Sequence, residues 1–295
     1  MEAASSYTTG RWSQHRRLEF IDFRLRWDGR LNRADLMDFF GISVPQASLD
    51  IARYGELAPE NMHYDRSARV YLAAPSFHAV YESSDSHHFL DALLASCSDP
   101  SARAGGAGLL GYRPPVAALP RLSRRASLDV LVALQRAMRE QTGLRVRYQS
   151  LTRSAPIERE LSPHALAHDG HRWHVRAFCH QREAYRDFVI GRILSVEGTT
   201  AARQGAAEDS AWHTMVRVVL APHPKLAAAH RRAIELDYGM VDGKVSFECR
   251  RAFLFYVLRE LRLDRPGLLP EEQQIVLKNA REIARLQRAS EAKVD

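Results

Sequence analysis

Cysteine is scarce in these 295 residues. The three present, Cys97, Cys179 and Cys249, are odd in number and far apart. That argues against a disulfide framework or a paired C-x-x-C metal site and leaves them as buried or idle thiols. Lysine is scarcer still in proportion: four against 38 arginines. No apolar run approaches the roughly 18 residues needed to span a bilayer. The opening Met1-Glu2-Ala3-Ala4-Ser5-Ser6 lacks the basic-then-apolar pattern of a signal peptide, so the expected compartment is the cytoplasm and no membrane partner is expected. Catalytic fingerprints are missing too. Gly105-Gly106-Ala107-Gly108 is not followed by the G-K-[ST] of a phosphate loop, and there is no nucleophile elbow, dinucleotide turn or acidic metal cluster. Glu158/Glu160 and Glu271/Glu272 read as solvated surface. No enzyme and no cofactor is therefore expected.

What is present is charge of a particular kind. The net charge is +7, which favours anionic partners. Residues 1–75 hold ten basic and ten acidic side chains, residues 141–200 nine against six, and residues 201–295 sixteen against thirteen. The N-terminal end is thus neutral, and any nucleic-acid contact there must rest on placement. Because nearly all the cations are arginines, they can contact phosphate and guanine bidentately, as lysine cannot. The length allows two or three domains.

The N-terminal pattern is helical. Leu18, Ile21 and Leu25 share a face over residues 14–27, and Asp28-Gly29-Arg30 ends that helix. Asn32, with Asp35 three residues on, caps a second helix closed by Gly41. After Gly41-Ile42-Ser43, the S-x-x-Q of Ser43-Val44-Pro45-Gln46 forms a capping box opening a third helix, which runs to about Tyr54. This is a helix-turn-helix pattern. Residues 61–64 and 70–73, flanking a polar turn, read as a hairpin, which makes it winged. Ala47, Ile51 and Tyr54 take the buried face of the third helix. Ser43, Pro45, Gln46, Ser48, Leu49 and Arg53, with Arg66 and Arg69 at the wing tip, are then the candidate DNA-contacting residues.

A helix is expected over Phe77–Cys97, a Pro/Gly-rich linker over 98–126, and an amphipathic helix over Leu128–Gln141. Alternation then predicts strands at 144–148, 173–178 and 186–190, consistent with a small β-barrel. After a linker at Ala201–Ser210 the tail reads strand (214–220), helix (224–235), strand (244–249) and two helices (252–263 and 270–289). Expected domains are a winged helix-turn-helix over 12–75, a helical linker over 76–126, a barrel with its leading helix over 127–200 and an α+β extension over 211–295.

Tyr148, Ser150, His164, Trp173, His174, Arg176, Arg186 and Arg192 fall on successive strands of the barrel. Arginine forks beside stackable aromatics suit a phosphate-bearing or nucleotide ligand. The same stretch holds His164, His168, His171, His174, Cys179 and His180, but in no zinc spacing. A metal-dependent nucleic-acid-processing enzyme built on this 164–180 histidine cluster stays open as an alternative, as does an accessory protein that binds single strands.

The run Arg172-Trp173-His174-Val175-Arg176-Ala177, followed by Arg186-Asp187-Phe188-Val189-Ile190-Gly191-Arg192-Ile193, resembles the WYL domain, with Trp173-His174-Val175 at its naming triplet. Phe39-Phe40-Gly41-Ile42-Ser43-Val44-Pro45-Gln46-Ala47-Ser48-Leu49-Asp50 resembles the winged helix of WYL repressors from BREX and CBASS phage-defence islands. Arg231 to Met240 resembles their C-terminal extension. The resemblance implies an α+β protein with an Sm-like barrel and a dimerisation tail. It implies a homodimeric repressor that binds double-stranded operator DNA and senses a nucleotide or nucleic-acid effector in the barrel.

Overall fold

The computed structural model describes residues 3–82, 85–98, 108–119, 124–265 and 267–291. The chain divides into two compact units, at residues 121 and 122.

The N-terminal unit begins with α1 (Ala3–Asp28), the short strand β1 (Arg30–Leu31), α2 (Arg33–Phe40) and α3 (Val44–Leu57). Leu18, Ile21 and Leu25 of α1 meet Leu36 of α2 and Ala47, Ile51 and Tyr54 of α3 in one core, as the spacing required. Asn32 caps α2 with both halves of a capping box, and Gly41 closes it in the left-handed region at φ 63°, a conformation only glycine adopts without strain. Ser43 caps α3 by accepting from the Gln46 backbone N–H. The return half of the expected box is not made, because the Gln46 side chain donates to Asp50 instead. β2 (Met62–Asp65) and β3 (Val70–Ala73) form the wing hairpin, with β1 added in the order β1-β3-β2.

The helix expected from Phe77 starts later, as α4 (Ser86–Ser98). Residues 76–81 have other obligations. His78 donates its N–H to Asn61, and Val80 and Tyr81 donate theirs to the buried Asp22 carboxylate. Those N–H groups are spent on side chains, and Phe77 and Tyr81 pack on the core instead. The Gly105–Gly108 stretch lies outside the described residues except for Gly108. The Asp28 carboxylate accepts from the Gly111 and Tyr112 N–H groups.

The second unit opens with α5 (Leu128–Glu140), whose Val130, Leu134 and Ala137 lie on a five-stranded antiparallel sheet. Its strands are β4 (Thr142–Tyr148), β5 (Ile157–His168), β6 (Trp173–Cys179), β7 (Ala184–Val189) and β8 (Ile193–Ala201), in the order β7-β6-β5-β4-β8. A 3₁₀ turn, Ile190–Arg192, precedes β8. Among the described residues no ladder joins the two edge strands, so a closed barrel is not what the pairing displays.

There follow α6 (Ser210–His213), β9 (Met215–Pro222), α7 (Ala228–Asp237), β10 (Val245–Arg250), α8 (Leu254–Glu260), α9 (Pro270–Gln273), β11 (Ile275–Leu277) and α10 (Ala280–Glu291). The single helix expected over 270–289 is broken. Gln274 sits at φ 53°, and Ile275-Val276-Leu277 pairs with β9 as an edge strand. The β-branched pair Ile275-Val276 gains more there than in a helix. Val216, Val218, Leu220, Ile234, Leu254, Leu258, Ile275 and Ile283 form the core of this part.

Candidate functional site

On α3 the buried face places Ala47, Ile51 and Tyr54 inward, which leaves Ser43, Pro45, Leu49 and Arg53 exposed and Gln46 and Ser48 half-buried. Ser48 donates its hydroxyl to the Val44 carbonyl at 3.0 Å. Leu49 is 58% exposed. Arg66 and Arg69 are exposed in the turn between β2 and β3. The turn is held by Asp65, which accepts from the Ser67 and Ala68 N–H groups. All eight expected nucleic-acid-facing residues therefore lie on the helix-turn-helix or its wing, next to solvent.

The second site is a cavity of 1040 Å³ in the C-terminal unit, bounded by β6, β7, the 148–153 segment, the 208–211 segment and α8. Six of the eight expected ligand residues line it: Tyr148, Ser150, His174, Arg176, Arg186 and Arg192. Nine arginines face it against four carboxylates, Glu183, Asp187, Glu208 and Asp209. That imbalance makes it an anion-attracting space. The other six, Arg153, Arg159, Arg172, Arg182, Arg251 and Arg259, are not singled out by alternation, because most come from loops and from the tail.

Two expected residues are not in the cavity lining. Trp173 opens β6 at 54% exposed and packs beside His168. His164 sits at a bulge, where the β5–β6 register shifts between Pro163 and Ala165. The bulge turns its ring to the Asp209 carboxylate at 3.0 Å, edge-on to Tyr185 and Trp212.

Arg176 is not a free fork either. Its Nε and Nη2 donate to Asp209 at 2.7 and 3.1 Å, and its Nη1 donates to Asp187 at 3.2 Å. Tyr256 of α8 donates to the other oxygen of Asp187 at 3.1 Å. Burial alone would push the Asp209 carboxyl up, but His164 and Arg176 outweigh it and hold it well below the usual carboxylate range. The same holds for Asp169, where His174, Arg172 and the 171 and 172 N–H groups outweigh burial. Burial and the neighbouring Asp187 push the Tyr256 hydroxyl far up. The network thus joins the sheet to the tail through ionised carboxylates.

The histidine cluster does not assemble into a metal centre. His164 faces Asp209, His171 faces Glu260, His174 faces Asp169, and His180 faces Ser162 and Glu160. Among the described residues no group of three or more histidine, cysteine or acidic side chains is placed to hold an ion. Nor does any described helix reach the length and apolarity needed to cross a membrane.

Comparison with known proteins matches three family models in order. Residues 13–95 match the BrxR transcriptional regulator winged helix-turn-helix domain, 129–197 the WYL domain, and 215–283 the BrxR transcriptional regulator C-terminal dimerization domain. The chain is 53% identical over 275 residues to the DNA-binding transcriptional repressor CapW of Pseudomonas aeruginosa, covering 92% of this chain and 91% of that one. It is 48% identical to a CapW of Escherichia coli strain KTE188 over the same shares. A CapW of Stenotrophomonas maltophilia is 43% identical, with 96% of this chain and 95% of that one covered. These relatives carry the name of a repressor, not of an enzyme. The chain belongs to the family of WYL-domain transcriptional regulators in which a BrxR winged helix precedes the WYL domain and a BrxR dimerization domain follows it.

Proposed function

We propose that this chain is a cytoplasmic, homodimeric repressor that binds double-stranded operator DNA through α3 and the wing, and that a nucleotide or nucleic-acid effector in the arginine-lined cavity releases it. Its target in this reading is an anti-phage defence operon. The observation that carries the proposal is the face of α3. A capped helix leaves Leu49 and Arg53 exposed and Gln46 and Ser48 half-buried at its surface, and Arg66 and Arg69 are exposed in the wing turn. Such a helix fits the major groove, while Ser43, Pro45 and the wing arginines meet backbone. The working division is DNA binding over 12–75, linkage over 76–126, sensing over 127–200 and dimerisation over 211–295.

The cavity supports the sensing role. A phosphate-bearing ligand entering it meets more arginines than carboxylates. Ser150, Arg186 and Arg192 would contact it. Tyr148, whose hydroxyl accepts from the Val189 N–H at 3.3 Å, would wall it. His174 and Arg176 would feel it through their carboxylate partners, with His164 behind Asp209 and Trp173 at the rim. That contact, together with the leading helix, the five antiparallel strands and the 3₁₀ turn before the last, supports an Sm-like arrangement of the 127–200 segment. The effector acts only if it prefers one conformation of the dimer, which makes release a population shift.

Titration of labelled DNA from upstream of the gene tests both halves. We expect saturable binding by one dimer, falling steeply with added salt, and release when short oligonucleotides or nucleotides are added. Binding that no nucleotide or oligonucleotide relieves would remove the effector half of the reading.

A further inference from the structure

One buried carboxylate lies under the outward face of α3, and its partners decide what that face presents. Asp50 is fully buried. It accepts from Arg17 of α1 through Nε at 2.6 Å and Nη2 at 3.3 Å. The Gln46 amide nitrogen donates to the same carboxylate at 3.1 Å. A carboxylate facing a guanidinium offers only acceptors, so the carboxamide must turn its nitrogen inward and its oxygen outward. Ser48 has already given its one proton to the Val44 carbonyl. Leu49, three residues on from Gln46 and so on a neighbouring line of the helix, presents an exposed apolar side chain.

We propose that Asp50 is a positioning residue that holds Gln46 as a reader of adenine, while Leu49 covers the methyl group of a neighbouring thymine. The proposal rests on the operator-binding reading of α3 and names what that helix reads. The adenine edge in the major groove offers the N6 amino group as donor and N7 as acceptor. The outward Gln46 oxygen accepts from N6, and the remaining amide N–H gives to N7. Guanine offers O6 and N7, both acceptors, and the fixed oxygen repels it. The core of each half-site is therefore a pair of adjacent A·T base pairs, not a G·C step.

The test is competition binding of the full chain to its upstream DNA, with every half-site base pair changed in turn. Wild type should lose roughly tenfold or more when one particular adenine is replaced, the scale of one bidentate base contact. Gln46→Ala should flatten the preference at that position alone. Replacing the neighbouring thymine by deoxyuridine, which deletes only the methyl, should weaken wild type and leave Leu49→Ala unaffected. In Asp50→Asn the neighbour can donate as well as accept, so Gln46 can turn either way. The adenine preference should then relax towards guanine while the salt dependence stays unchanged. Should Asp50→Asn lack a folding transition, Gln46→Glu replaces it, with an expected shift from adenine to cytosine. Absence of any adenine preference in wild type, or a wild-type base profile in a folded Asp50→Asn or in Gln46→Glu, overturns the proposal. If wild type binds no upstream duplex at all, it is the operator reading that falls.

Discussion

At the residue scale, the chemistry of the second unit turns on Asp209. It accepts from Arg176 and faces His164, while 1% of its surface is exposed. Removing one partner of a buried pair typically costs about 3–5 kcal/mol, because the other charge is left uncompensated. Arg176→Ala should therefore destabilise the C-terminal unit by that order, read as a lower urea midpoint, and it confounds any effector assay. Arg192→Ala is the cleaner probe of sensing. Its arginine is half-buried at the cavity wall, and we expect unchanged operator affinity with at least severalfold weaker release by nucleic-acid fragments. Loss of operator binding itself in this variant would contradict the separation of roles. The pH dependence of stability follows from the same group. The folded Asp209 binds its proton more weakly than the unfolded chain does, since its value lies below the ordinary 3.8. Its stabilisation is complete above that value and is lost as pH falls through the folded one. Asp209→Asn should lower the melting temperature at neutral pH and make the decline in acid shallower. A wild-type-like melting profile across pH 3–7 would exclude Asp209 as a keystone.

The sequence did not mark Asp209 at all. It lies in an Ala/Gly/Gln-rich stretch that reads as a linker, and only the fold brings it 33 residues back to Arg176. Arg176 itself was legible as a strand residue facing His174's side, but its commitment to two carboxylates was not.

At the scale of elements, local signals were strong where caps and periodicity agreed and weak where side chains captured backbone. α2 has only eight residues, so its capping box matters. Asn32→Ala should cost roughly 0.5–2 kcal/mol, read as a shift in urea midpoint. In the proposed reading α2 braces α3 and the base contacts come from α3, so operator specificity should persist. A changed base preference in Asn32→Ala would show that α2 does more than brace. The winged helix was readable for this reason: Asn32, Gly41 and Ser43 punctuate it, and Ala47, Ile51 and Tyr54 keep one period. The 77–81 stretch was not readable, since its hydrophobic spacing suits a helix but Asp22 and Asn61 take the N–H groups of His78, Val80 and Tyr81. β11 was hidden in the same way, because Pro270-Glu271-Glu272 opens a helix convincingly and only pairing with β9 stops it. The barrel expectation came from counting strands, which fixes neither curvature nor closure.

For the whole molecule, the charge distribution and the two sites fit one account. The winged-helix end is neutral in bulk, so in the proposed reading it would act through a few placed side chains, which suits sequence selectivity. The positive excess sits in the C-terminal unit with the cavity, where the proposed anionic effector would be captured. In the proposed sensing role, Arg176, already paired with Asp187 and Asp209, would have two arrangements available, internal pairs or ligand pairs, and the tail is tied to the internal one through Tyr256. The most direct measurement of this account is a DNase footprint of the purified chain on the DNA upstream of its own gene, with and without short nucleic-acid fragments. We expect an inverted repeat protected in two halves about 34 Å apart, one helical turn, or a multiple of that, and loss of protection when the fragments are added. A footprint that is absent at moderate salt, or one without two-fold symmetry, would contradict it.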